Sequence, residues 1–598
     1  MKKPLIAVSA IALLAAAGYG GLVFAEKKIA EAVVAGMNEG GTTVTVKAAR
    51  YSLLNGRLEL EDVVATDKVQ ADRKFAAALL VAEGANRDAG GLVARGLKGE
   101  AADTLPVQLV KKLDVTGVRW SDGEKSVVVE RLSGANLSVV PGKLPRAASL
   151  AEAFTKPSLA LTMAAFGADR LEFIKATGTF KNETVTTDTT LIETLAGGVA
   201  ETLETRSNVW TGPEATGKLA KSRATGIDLA GLAADRLSAK TLSIEGGDFA
   251  GKKGEKIAFG AITLTDPKPL DFGALDTAPE AVAATWSVGN LAVKDLAVTV
   301  PEEQTDISLG LFELDKFGEG KLASAKLAGL KVDVKKTSTK IALGEVAVET
   351  LDYTALLAGN PTGLVVKKVS LDAFEVDVAE AGKLALGKAV TEYTRFEQSL
   401  PAAGYSTMTG LTISDIRDPE GREAFKKLGY EGLSFDGEMR FDWKAESGAF
   451  VLETFKLTGK DMGALNLAMT LGGLDYETAV SGDPFAFLET MRLESLDLRY
   501  DDESLFGRVL KLVAAEQGAR PEDIRDMALT ILDEQRRQVS KNPIAVDAIK
   551  GLKTFVEKPK NLTFSLRPNE PVGYEDLMDE EEPAAVARLL GVKVEANK

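Results

Sequence analysis

The chain has 598 residues and a formal net charge of −15, with 45% hydrophobic and 27% charged residues. It contains neither cysteine nor histidine, which excludes disulfides, thiol nucleophiles, metal sites built on either residue and catalytic triads that depend on histidine. Phosphate backbones repel a negative surface, so nucleic acid is not an expected partner. We predict no enzymatic activity and no cofactor.

The first 25 residues have the pattern of an export signal. Lys2 and Lys3 precede an uncharged stretch over residues 4–25. This stretch could anchor the chain in the inner membrane, because about 20 apolar residues span a bilayer. Its glycines and its small residues before Glu26 also fit a cleaved signal peptide. Both interpretations place the body in the periplasm of a bacterium, because basic residues stay on the cytoplasmic side.

The body divides into three predicted regions, of which the first, residues 26–225, mixes helices and strands. Helical periodicity predicts helices over 27–39 and 71–96, and two strands are expected about Asn55-Gly56. Further strands are predicted over 42–46, 114–120, 126–130, 137–140, 158–163 and 177–187. Residues 188–222 have no clear pattern.

A repeated unit occupies the second region, residues 226–400. Its four copies begin at Thr241, Leu291, Leu327 and Val369, and each combines alternating strands, a polar turn and an apolar residue followed by glycine. The apolar-glycine pairs are Phe259-Gly260, Leu309-Gly310, Leu343-Gly344 and Leu386-Gly387. Such repeats usually stack one supersecondary unit on itself, here a β-hairpin. A short helix over about 388–399 is predicted to end the region.

Alternation within the third unit predicts which side chains share the apolar face of its hairpin. Leu330, Val332 and Val334 are expected on that face, together with Ile341 and Leu343 of the paired strand. The intervening charged residues are expected to face water; they are Lys331, Asp333 and Lys335.

The third region, residues 401–598, is predicted to combine a β-meander with helices. Strands are expected over 409–416, 433–445, 449–458, 464–471, 492–500 and 561–567. Pro419 begins one helix, and three more begin at Ser504, Pro521 and Pro543. We expect these helices to cap or divide the sheet.

Two further patterns are better explained as structure than as sites. Residues 212–218 match a phosphate-binding loop, but Leu219 stands where Ser or Thr would ligate magnesium. Carboxylates at Asp415, Asp418, Asp501 and Asp502 could bind calcium, yet they lack the spacing of an EF-hand loop. A turn and solvated strand ends are the expected interpretations, with no metal site.

Three features resemble the start of AsmA-like and YdgA-like bacterial envelope proteins. They are the N-terminal stretch, the helix that follows it and the hairpin through Leu53-Leu54-Asn55-Gly56-Arg57-Leu58. The repeated units and the segment Thr458–Leu465 are similar too. The resemblance implies an inner-membrane-anchored, periplasmic, β-rich protein with a role in lipid transport or outer-membrane assembly. It also implies an acyl-chain groove on the apolar sheet face, including Leu330, Val332, Val334, Ile341 and Leu343.

These patterns together predict an α+β, β-dominated fold. It would contain an extended, curved antiparallel sheet of repeated β-hairpin units, peripheral helices and an N-terminal transmembrane or signal helix. Phospholipid acyl chains and other envelope proteins are the expected partners, besides the inner membrane itself. If helices cover the apolar face, the chain would instead be a structural or protein-binding envelope protein.

Overall fold

The computed structural model describes residues 42–598, except 53–55, 69–70, 87–88, 124, 148–157, 273, 275–285, 355–363, 398–399, 476–488, 579 and 581. The export signal and the helix predicted over 27–39 lie outside the described residues. Among the described residues, no helix has the length and hydropathy that a membrane span requires. The fold is β-dominated and antiparallel, and the chain divides into two compact units. The first contains residues up to Pro301 and Leu311–Glu319, and the second contains Glu302–Gly310 and Gly320–Lys598.

The strands of the first unit follow one another along the chain. They are β1 (Thr42–Thr45), β2 (Ala48–Ser52), β3 (Arg57–Asp67), β4 (Arg73–Glu83), β5 (Val107–Asp122), β6 (Lys125–Val139), β7 (Phe166–Phe180), β8 (Glu183–Ala196), β9 (Val199–Thr211), β10 (Ala215–Asp228), β11 (Arg236–Leu237), β12 (Thr241–Gly251), β13 (Lys256–Thr265), β14 (Leu270–Asp271) and β15 (Val288–Val300). Strand β3 pairs with β1, β2 and β4, and each strand from β4 to β9 pairs with the next. The ladder then continues from β10 through β12 and β13 to β15, while β11 pairs with β14.

Three helices cover one face of the first unit's sheet. They are α1 (Ala89–Lys98), α2 (Leu159–Ala165) and α3 (Leu229–Ala233), and a 3-10 turn spans Pro141–Lys143. Leu159 and Met163 of α2 and Leu229 of α3 pack in the same buried cluster as Leu58 and Phe173 of the strands. The apolar face of β3 to β10 is therefore a covered hydrophobic core.

Strand β16 (Thr305–Phe317) is divided between the units, and the remaining elements belong to the second. The strands of the second unit are β17 (Lys321–Val334), β18 (Thr339–Asp352), β19 (Val365–Val378), β20 (Gly382–Glu397), β21 (Leu400–Ser414), β22 (Leu433–Lys444), β23 (Ala449–Gly459), β24 (Gly463–Gly472), β25 (Arg492–Asp502), β26 (Asn561–Leu566), β27 (Val572–Gly573) and β28 (Lys593–Ala596). Each strand from β17 to β25 pairs with the next, β25 pairs with β26 and β27, and β26 pairs with β28. The helices are α4 (Pro419–Leu428), α5 (Leu505–Gln517), α6 (Pro521–Gln538), α7 (Pro543–Glu557), α8 (Tyr574–Met578) and α9 (Pro583–Leu589).

Left-handed residues interrupt many strands in both units, and one line of them crosses alternate strands. This line consists of Asp62, Gly117, Lys175, Ser207, Gly246, Asp295, Gly329, Ala373 and Gly410, with φ between 48° and 69°. Five intervening strands contain left-handed residues of their own, namely Asn136, Thr194, Gly226, Lys316 and Thr350. The buried positions advance by three residues instead of two where such a residue occurs. In β3 the buried set runs Leu58, Leu60 and then Val63. A strict period of two therefore assigns the wrong face to half of such a strand.

The glycine of each repeated unit is explained by this line of left-handed residues. Gly344 lies opposite Ala373, and a Cβ added to Gly344 would lie 2.8 Å from the Ala373 Cβ. A Cβ on Gly260 would lie 2.7 Å from Asp295 Oδ2, and one on Gly387 would lie 3.0 Å from the Thr409 carbonyl oxygen. In these repeated units, glycine therefore leaves room for the neighbouring strand at its left-handed residue.

Many of the predicted elements are confirmed. Strands β2 and β3 pair on either side of Asn55-Gly56, although Asn55 itself lies outside the described residues. The pairs β12–β13, β17–β18 and β19–β20 confirm three repeated units as hairpins. The meander β22–β24 and the helices α4 to α7 begin within a residue or two of the predicted positions. Helix α4 ends at left-handed Gly429, as glycine after a helix favours.

Four predictions were wrong. Residues 71–96 were predicted as one helix, but 73–83 form β4, because pairing with β3 and β5 overrides the helix propensity of the alanines and leucines. Residues 158–163 lie largely in helix α2 rather than in a strand, because this apolar segment packs as a helix on the core. The helix predicted over 388–399 is largely the end of β20, which pairs with β21. The strand predicted over 177–187 contains the turn between β7 and β8.

Candidate functional site: the apolar rows of the sheet

Paired residues of antiparallel strands point to the same side of a sheet, so successive pairs define rows across it. One such row crosses β17 to β22 in the second unit, and we call it the apolar row. Its members are Val332, Ile341, Val376, Leu384, Ile413 and Leu433. Leu384 is 39% exposed and Ile413 is 37% exposed, and the other four are half-buried. The row is uniformly apolar and remains accessible to solvent.

The five residues predicted for the groove lie together on this side of β17 and β18. Leu330 pairs with Leu343, Val332 pairs with Ile341, and Val334 pairs with Thr339. All five are half-buried. Leu330 and Leu343 continue through Phe374 and Leu386 into a second row beside the first. The structure thus brings the predicted residues together, while their use as a lipid groove stays a prediction.

The alternating positions are charged and largely directed to solvent. Lys331 and Lys335 are exposed, and Asp333 is half-buried. Cross-strand ion pairs join Lys326 Nζ to Glu345 at 2.6 Å and Lys368 Nζ to Glu349 at 2.7 Å. These exposed pairs stabilise the sheet little, since such pairs typically contribute less than about 1 kcal/mol each. They make the sheet strongly amphipathic.

In the described part of the second unit, helices α5 and α7 lie on the apolar side at the C-terminal strands. The Phe555 ring of α7 lies 6.3 Å from the Tyr500 ring of β25 and 5.2 Å from the Phe506 ring of α5. The Tyr500 hydroxyl donates to Asp502 Oδ1 at 2.7 Å, and burial together with this hydrogen bond raises the Tyr500 pKa. In α7, Gly551 lies so close to β28 that an added Cβ would be 2.6 Å from the Val594 carbonyl oxygen.

The first unit shows the same contrast between covered and accessible strands. Leu58, Leu132 and Phe173 in β3, β6 and β7 are fully buried in the cluster that also contains residues of the helices. Ile257 of β13, by comparison, is 46% exposed, and most apolar residues of β12, β13 and β15 are half-buried. The hydrophobic core therefore extends to β10, and the apolar side of the later strands is more accessible.

The predicted carboxylates serve local structure. Arg417 pairs with Asp415, Asp418 caps α4 by accepting from the Gly421 amide, and Arg499 binds Asp501. Within the described ranges, no cluster of carboxylates has an arrangement that could hold a metal ion. Residues 212–218 include the turn between β9 and β10.

Strict alternation of side chains along a strand does not identify which residues share a row on both halves of that strand. Met408 and Leu411 of β21 lie on the same side although they are three residues apart, because left-handed Gly410 lies between them. The glycines opposite the left-handed residues were visible in the sequence and are the signal that marks this shift.

Residues 456–597 match a family described as "Uncharacterized protein". The match extends from the end of β23 to β28 and includes the helices that cover the apolar side. No curated protein matches the chain.

Proposed function

We propose that the accessible apolar rows bind the acyl chains of lipids, and that the chain is a binding protein of the bacterial envelope rather than an enzyme. The apolar row of β17 to β22 carries the proposal. Six strands at about 4.8 Å spacing extend roughly 24 Å, enough for an acyl chain from one leaflet of a bilayer with a hydrocarbon core of ~30 Å. A fully buried methylene contributes about 0.8 kcal/mol, and one that contacts this surface on one side contributes part of that.

The chemistry of the row favours an acyl chain over an extended peptide. A peptide would bring backbone N–H and C=O groups onto the surface, and an unsatisfied buried backbone group is costly. The six side chains of the apolar row offer no hydrogen-bonding partner to such groups. An acyl chain has none to satisfy.

The proposal includes the AsmA-like assignment made from the sequence. It consists of an inner-membrane anchor in residues 4–25, an extended and curved sheet in the periplasm, and a role in lipid transport or outer-membrane assembly. The amphipathic hairpins and the accessible rows support it.

A second candidate is the binding of a protein partner from the envelope. Helices α5 and α7 favour it, because they show that this side of the sheet can accept an amphipathic helix. A partner helix would then occupy the apolar row in place of lipid.

The test uses the purified full-length chain and two neighbouring substitutions in β21. Ile413→Asp places a charge in the apolar row, and Thr412→Asp places the same charge on the opposite side of the strand. We expect phospholipid, extracted and quantified by mass spectrometry, to co-purify with wild type and Thr412→Asp but to fall severalfold with Ile413→Asp. Circular dichroism controls for folding. A lipid-free wild type, or equal lipid in both variants, would contradict the proposal.

A further inference from the structure

One row of paired residues in the first unit changes from polar to apolar as it crosses the strands. It begins at fully buried Phe173 in β7 and continues through Thr190, Thr205, Ser222, Ile244, Ile262 and Val293. Thr190 and Thr205 are each 4% exposed, whereas Ser222 and the three aliphatic residues are half-buried. Three hydroxyls thus lie between a closed core and an accessible apolar surface.

Two of these hydroxyls, those of Thr205 and Ser222, belong to a hydrogen-bonded polar cluster that also contains Thr187 and Asn208. Thr205 Oγ1 lies 2.6 Å from Ser222 Oγ. Asn208 Nδ2 donates to Thr205 Oγ1 at 2.7 Å, and Thr187 Oγ1 donates to Asn208 Oδ1 at 2.8 Å. Thr205 and Asn208 share a side because left-handed Ser207 lies between them.

The accessible members of the polar cluster keep hydrogen-bonding capacity. Asn208 is half-buried, like Ser222. Its second amide hydrogen has only a long contact, 3.5 Å, with Ser222 Oγ, and its carbonyl oxygen has a second lone pair. The pair can therefore both donate to a ligand and accept from it.

The polar cluster is uncharged, which restricts the ligand. The neighbouring charged residues of β9 and β10 alternate onto the opposite side, where Glu204 pairs with Arg206 at 2.7 Å and Lys221 at 3.4 Å. A phosphate or carboxylate would find no cation within the cluster. Ester carbonyls and hydroxyls match its donors and acceptors.

We propose that Asn208 and Ser222 bind the glycerol ester and hydroxyl groups of a lipid whose acyl chains lie along Ile244, Ile262 and Val293. From β10 to β15 the row crosses three strand spacings, roughly 14 Å at about 4.8 Å each. That matches one leaflet of a hydrocarbon core about 30 Å thick. The inference rests on the proposed function and adds the class of headgroup and its position.

The test compares two ligands on the delipidated full-length chain by displacement of the apolar fluorophore N-phenyl-1-naphthylamine. Dioctanoylglycerol carries the uncharged ester and hydroxyl groups, and hexadecane carries none. Asn208→Leu and Ser222→Ala are each expected to weaken dioctanoylglycerol binding about three- to tenfold, the effect of one lost hydrogen bond, and to leave hexadecane unaffected. Ser243→Ala, on the opposite side of β12, is the matched control and should change neither.

The outcomes separate this inference from the proposed function. Equal dioctanoylglycerol binding by wild type and both variants would overturn the headgroup site and leave a cluster that only stabilises the sheet. If hexadecane binds and dioctanoylglycerol binds no better, the headgroup site is also overturned, whereas the proposed acyl-chain surface is supported. If neither ligand displaces the fluorophore from wild type, both proposals fail. Should Asn208→Leu fail to fold, the smaller Ser222→Ala change decides the result.

Discussion

Gly344→Ala tests the relation between the repeated glycines and the left-handed residues beside them. The new Cβ would lie 2.8 Å from the Ala373 Cβ and 3.0 Å from the Asp372 carbonyl oxygen. Relief would require the backbone of β19 to move, because both atoms belong to its main chain or are attached directly to it. Overpacking of this kind typically costs about 1–3 kcal/mol.

The appropriate assay is hydrogen exchange of β18 and β19 measured by mass spectrometry, because it reports local stability in a chain with two units. A loss of 1–3 kcal/mol corresponds to exchange about 5- to 150-fold faster, since about 1.4 kcal/mol is a factor of ten. Ala373→Gly should slow exchange, because it relieves a left-handed alanine that costs roughly 1–2 kcal/mol. Combined with Gly344→Ala, it should recover part of the loss.

Gly507→Ala in α5 is the matched control for the glycine substitution. Nothing lies within 4 Å of a Cβ added there. Alanine should stabilise the helix by about 0.5–1 kcal/mol. If Gly344→Ala leaves exchange in β18 and β19 unchanged, or is as harmless as Gly507→Ala, the left-handed line does not require glycine and the reasoning is refuted.

Three other predictions concern pH, a buried hydrogen bond and topology. Burial raises the pKa of the Glu204 carboxyl, but hydrogen bonds from Arg206 and Lys221 outweigh it and hold the pKa below its ordinary value. The resulting stabilisation is present above the unfolded pKa of about 4.3 and is lost as pH falls through the folded pKa. We expect hydrogen exchange in β9 and β10, corrected for intrinsic rates, to accelerate below about pH 4 in wild type. Glu204→Gln should flatten this pH dependence. Parallel curves for wild type and variant would contradict the stabilising role of the Glu204 carboxylate. Trp443 Nε1 donates to the buried Leu474 carbonyl at 2.6 Å, so Trp443→Phe should cost about 1–3 kcal/mol in the exchange of β22 and β24; unchanged protection there would exclude a stabilising role. A reporter that works only in the periplasm should be active when it is fused after Lys598. Activity of a reporter that works only in the cytoplasm would contradict export. N-terminal sequencing of the mature chain distinguishes an uncleaved anchor from a cleaved signal peptide.

The local features of this fold are readable from the sequence. Asn55-Gly56 lies between paired strands, Pro521 and Pro543 begin helices, and Gly429 ends one, as short-range backbone preferences require. The hairpin units were recognisable because alternation and turns depend only on residues close in the chain. For the same reason, Leu330, Val332, Val334, Ile341 and Leu343 could be assigned to one side of their hairpin.

Tertiary structure decided what depends on distant residues. Alanine-rich β4 is a strand because β3 and β5 flank it, and α2 is a helix because it packs on the core. Ser207 and Ala373 are left-handed although neither is glycine, so nothing within β9 or β19 itself marked the shift of face. Thr187 and Thr205 can be buried because Asn208 and Ser222 on the paired strands bond their hydroxyls. The apolar face of β3 is part of a core, whereas the apolar face at Leu384 stays accessible. Which of the two occurs depends on the helices that pack against the face. Hydrophobic periodicity along one strand carries no information about such long-range packing.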